Sequence, residues 1–105
     1  MPDAAEYSDR MAELQRMRVA LVILTSQETS KLLSRRQRVA GKEIEVMCAE
    51  RDLHVDPKAD RTQLDDLNRE EAALRQALYE TETDIERLEG LMVKVSADIA
   101  ALCQA

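Results

Sequence analysis

From Leu64 to Leu102 the chain repeats apolar side chains at alternating steps of three and four, and few architectures accept such a row. Its members are Leu64, Leu67, Glu71, Leu74, Leu78, Thr81, Ile85, Leu88, Met92, Val95, Ile99 and Leu102. A mean step of 3.5 keeps one stripe turned towards a neighbouring helix, either as a coiled-coil seam or as the buried face of a bundle helix. Both require a partner helix. Residues 4 to 51 supply one, since they contain no proline and a single glycine. A sheet is excluded by composition: Tyr7 and Tyr79 are the only aromatics, and Gly41 and Gly90 the only glycines. Strands and turns lack their usual residues.

The reading is therefore all-α. It is an elongated antiparallel helical bundle, with two long helices forming a coiled-coil-like hairpin and a possible third carboxyl-terminal helix after Gly90. Residues 1–105 form a single domain, with helix 1 over about 4–51, a turn over about 52–57 and helix 2 over about 58–89. The chain then either continues or breaks into a helix over 91–104. Pro57 disfavours helix in the residue before it and suits a first helical turn, so Asp56 is the expected cap of helix 2. Thr25 and Glu28 have capping-box spacing inside a polar stretch, but a continuous helix is the preferred reading there.

Helix 1 is less regular. Leu21-Val22-Ile23-Leu24 covers every side of a helix and implies more than one neighbour, so a strict two-helix hairpin leaves some of it wet. Beyond it, Leu33, Ala40, Ile44 and Met47 resume an apolar face.

Charge gives a register. Between Lys31 and Lys42 lie five basic residues and no acid. A hairpin turning near residue 56 sets position n beside about 111 − n, which brings this stretch to Glu70, Glu71 and Glu80. Glu71 interrupts the apolar row and is expected to meet an Arg or Lys of helix 1. A parallel homodimer would set Asp84 and Glu89 against acids, so the hairpin is preferred.

Chemistry is sparse. His54 with Asp52 and Asp56 reads as a polar turn, and no glycine run cradles phosphate. Cys48 and Cys103 match no metal or redox spacing and read as buried or half-buried reduced thiols, too far apart to be bridged. No catalytic, cofactor-binding or metal site is expected, and no cofactor. The longest apolar run, Val19 to Leu24, is far short of the ~18 residues of a membrane span. The acidic start does not resemble a secretion signal, so a cytoplasmic protein is expected. With 15 basic and 21 acidic residues the net charge is −6. That charge and the lack of stacking aromatics argue against nucleic acid. The cluster Lys31, Arg35, Arg36, Arg38 and Lys42 is the candidate partner-binding stripe; alternatively it offsets the acids opposite.

Several segments carry a family resemblance: Met47-Cys48-Ala49-Glu50, Val55-Asp56-Pro57-Lys58-Ala59-Asp60-Arg61-Thr62-Gln63, Ala77-Leu78-Tyr79-Glu80 and Asp84-Ile85-Glu86-Arg87-Leu88. On these the whole chain resembles tubulin-binding cofactor A, although it lacks the proline many members carry in the second helix and is poorer in lysine. The resemblance implies an elongated three-helix bundle, with a third helix from Val95-Ser96-Ala97 onward. It also implies a non-enzymatic chaperone that captures and holds β-tubulin, with the basic stripe steering an acidic partner. The competing reading is a structural coiled-coil adaptor or oligomerisation subunit that binds itself or another helical protein. Monomer and homodimer both remain open.

Overall fold

The computed structural model describes residues 3–104, so Met1, Pro2 and Ala105, which belong to the expected single domain, lie outside it. The described chain is all-α, with two long helices: α1, Ala4–Val55, and α2, Thr62–Gln104. Asp3 starts α1, its carboxylate accepting the backbone N–H of Glu6 at 2.8 Å, which satisfies one of the donors a helix start leaves open.

Helix α1 runs four residues past the expected stop at 51, because Pro57 restricts only Asp56 before it. Residues 56–61 then connect the helices. Asp56 does not cap α2 as expected. Its carbonyl instead accepts the Ala59 N–H at 3.0 Å, closing a turn in which Pro57 holds the second position, where its fixed φ is favoured. The start of α2 falls to Asp60, which accepts the Thr62 N–H at 2.9 Å and the Thr62 hydroxyl at 2.7 Å. These bonds favour the ionised carboxylate, and they hold Asp60 below the ordinary aspartate value, the backbone bond contributing most.

Neither suspected interruption is used. Across Thr25–Ser30 the helix continues, with the Thr29 hydroxyl donating to the Thr25 carbonyl at 2.8 Å. Helix α2 passes through Gly90, which has no positive φ, so the third helix after Gly90, and the one implied from Val95 onward, does not form. The physical reason is continuity of the apolar row: Leu88, Met92, Val95 and Ile99 stay in phase and pack with Leu21. Breaking at Gly90 would withdraw three of these four.

Contacts divide the chain into two compact units. One contains the residues up to Thr29 and those from Thr83 onward; the other is Ser30–Glu82. In the first, the terminal unit, Leu14, Leu21, Leu88 and Val95 are buried. Each such side chain contributes about 1.5–3 kcal/mol. In the second, the turn unit, Val39, Val46, Leu64 and Thr81 are buried. Its helices run antiparallel, Lys42 meeting Glu70 and Arg35 meeting Ala77, each one position from the expected 111 − n.

All twelve members of the row from Leu64 to Leu102 are buried or half-buried. On α1 the expected face is wrong by one residue. Leu33, Ala40, Ile44 and Met47 are exposed, while Leu32, Arg35, Val39, Lys42 and Val46 turn inward. The outward row is the more apolar of the two. The inward one is chosen because its two cations find acceptors on α2.

Candidate functional site

The five basic residues read as one stripe are divided by the helix's rotation. Arg35 is half-buried and donates to the Ala77 carbonyl at 3.3 Å and to the hydroxyl of Thr81, which is fully buried. Thr81 in turn donates to the same carbonyl at 3.0 Å, so the whole polar layer is satisfied. Lys42 is half-buried too, its ammonium 2.8 Å from Glu45 and 2.7 Å from Glu70. The bonds to Glu45 first and Glu70 second raise its pKa. Lys31, Arg36 and Arg38 are exposed. Arg36 and Arg38 flank the inward row on opposite sides, since two residues span about 200° of helix. The structure thus brings Arg35 and Lys42 to the helix contact and leaves the other three outside it.

Glu71 does not meet a cation of α1. It pairs instead with Arg75 of its own helix, at 2.8 Å, and Arg75 also bridges to Glu43 of α1. The expected cross-helix pair exists with its signs exchanged, the acid on α1 and the base on α2. Hydrogen bonds to Glu71, then Glu43, raise the Arg75 pKa.

His54, Asp52 and Asp56 are all exposed. Asp52 lies 3.6 Å from Arg51, and the Asp56 carboxylate accepts the Lys58 N–H at 3.2 Å. Among the described residues, no group of three or more His, Cys, Asp and Glu side chains is placed to hold a metal ion. No described helix is long and apolar enough to cross a membrane. Cys48 and Cys103 are free, but both are exposed rather than buried. Cys48 lies two residues beyond the buried Val46, and Cys103 one beyond the half-buried Leu102.

The prominent surface feature lies in the terminal unit. Met17, Val19, Val22, Ile23 and Leu24 are exposed, between 43% and 58%. Only Leu21 of the apolar run is buried there, as a two-helix pairing dictates. A groove between the helices is lined by Met17, Ala20, Leu21, Leu91 and Val95, with Arg10, Lys94 and Asp98 at its edges. A shallower one along α1 shares Ala20 and adds Val19 and Ile23. The wet apolar run was legible in the sequence. The α2 wall was not, because Leu91, Lys94 and Asp98 stand beside the strong row and not in it. No family model matches the chain, and neither a curated protein nor a solved structure matches it.

Proposed function

We propose that this chain is a non-enzymatic interaction subunit, a helical hairpin that binds another helix through the apolar surface of α1. The observation that carries this reading is the exposure of Met17, Val19, Val22, Ile23 and Leu24 together, where a hairpin that served only itself would place polar residues. Such a surface accepts an amphipathic helix laid along it, with apolar anchors at steps of three and four. A photo-crosslinking residue at Ile23, compared with one at the exposed Glu86, tests it in cells. Adducts at position 23 that map to an amphipathic helix support the reading. Equal yields at both positions would sink it.

β-Tubulin capture, implied by the resemblance, is the second reading. What favours it is the exposure of Arg36 and Arg38, which puts positive charge on the surface where an acidic partner could meet it. Its test is retention of purified β-tubulin in the cytoplasmic salt range, lost when Arg36 and Arg38 are both changed to Gln. Arg35 is excluded from that variant because it braces the helix contact.

A further inference from the structure

We infer that the connection between the helices is a gate: the closed hairpin and an opened, exchanged dimer of the same chain share their interhelix contacts, and Pro57 holds the chain in the closed form. In the opened form each chain is one unbroken helix, and α1 of one copy pairs with α2 of the other. The inference goes beyond the interaction reading above and makes no use of the exposed face of α1.

Three observations carry it, and the first is where the helix stops. The Asp56 N–H still donates to the Asp52 carbonyl at 2.9 Å, as in a continuing helix, and the next donor of the ladder would belong to residue 57. Proline has no N–H, and in a helix its ring collides with the carbonyl four residues back, here that of Leu53. Nothing else in the connection demands a reversal. Residues 56–61 contain no glycine and none has a positive φ, while Lys58, Ala59 and Arg61 are good helix formers.

The second is phase. Val46, Ala49, Leu53, Pro57, Asp60, Leu64, Leu67 and Glu71 follow one another at steps of three and four. The six of them outside the connection are buried or half-buried. The inward row of α1 therefore runs into that of α2 without a shift, and a helix continued through 56–61 would keep both on one side.

The third is register. Lys42 meets Glu70 and Arg35 meets Ala77, pairs that stand 14 and 21 residues to either side of Asp56. Two antiparallel helices related by a two-fold axis at residue 56 have this same register. Lys42 of one copy then meets Glu70 of the other, Arg35 meets Thr81 and Arg75 meets Glu43, so exchange loses none of these pairs.

The two forms differ at the connection. The closed form keeps the bonds of Asp60 to Thr62, at 2.9 and 2.7 Å, and holds α2 beside its own α1 at the high effective concentration of a short tether. The opened form gains a helical segment but carries Pro57 inside it, once in each copy, and sets Asp60 in the apolar row.

Pro57→Ala, refolded from urea at high concentration, tests the inference, with sedimentation and circular dichroism as readouts. The wild type is expected to be a monomer at concentrations where Pro57→Ala is a dimer of slightly higher helicity, its dissociation constant lower by about a hundredfold or more. Adding Lys58→Gly and Ala59→Gly to Pro57→Ala should return the monomer, because two glycines weaken a continuous helix and ease a turn. A crosslink separates exchange from side-by-side association. With Cys48 and Cys103 changed to Ser, Glu43→Cys and Arg75→Cys place one thiol on each side of the helix contact. A short bismaleimide should then give monomer mass with Pro57 present and a covalent dimer with Pro57→Ala. A monomeric Pro57→Ala, a dimer whose crosslink stays within one chain, or a wild type already crosslinked between chains would overturn the inference. None of these results bears on crosslinking at Ile23, so the interaction reading stands or falls separately.

Discussion

The guanidinium of Arg35, on the first helix, hydrogen-bonds the hydroxyl of Thr81, a side chain of the second helix with no exposure to solvent. This pair joins the helices at a level where neither side chain is apolar. Its donors and acceptors are closed by the Ala77 carbonyl, so burial leaves no polar atom stranded.

The pair is expected to be energetically coupled. Arg35→Met and Thr81→Val should each destabilise the fold by about 1 kcal/mol, the usual net worth of such a bond. The double variant should cost less than their sum, because it replaces a polar layer by an apolar one and strands nothing. Urea unfolding of the four proteins measures the coupling, and strict additivity would show that the bond does not join the helices.

Gly41 and Gly90 both lie inside helices, with open space where a Cβ would stand. Gly41→Ala and Gly90→Ala should therefore each stabilise by roughly 0.5–1 kcal/mol, by reducing the freedom of the unfolded chain. Thermal unfolding is the measurement. A loss of stability in Gly90→Ala would mean that α2 bends there.

The start of α2 should depend on pH. Because Asp60 is held below the ordinary 3.8 in the folded state, its contribution is fully present above that value. It is lost as the pH falls through the depressed folded value. Between pH 5 and pH 2 the wild type should lose more stability than Asp60→Asn, which has no carboxylate to titrate. Parallel losses in the two proteins would remove Asp60 as the cap.

Exposure of Cys48 and Cys103 has a direct readout. Both thiols should react with a thiol reagent in the native protein at the rates found in denaturant, within a few-fold. Protection of Cys103 alone would indicate that an association covers the free end of α2.

How far the sequence reaches differs between the two helices. For α2, twelve positions at a 3.5 step were enough, since one dominant row leaves a single way to bury apolar surface. For α1 two rows compete, and apolar content favours Leu33, Ile44 and Met47, which the fold leaves exposed. The inward row carries Arg35 and Lys42, and nothing local indicates that their acceptors will be at hand. Two of the five basic residues, Arg35 and Lys42, were accordingly read as surface although they turn inward. The Asp60 cap was hidden for a similar reason, as Asp56 offers the same side chain and only the turn around Pro57 assigns their roles.

What the sequence determined by itself is the class and direction of the fold: helices, because turns and strands lack residues to form them, and an antiparallel pairing, because the charges of 31–42 find acids only in that sense. Which side of α1 turns inward was decided by the tertiary structure alone. Burying a cation is unfavourable until a carbonyl, a hydroxyl or a carboxylate from another part of the chain meets it, and those partners arrive only when the helices come together.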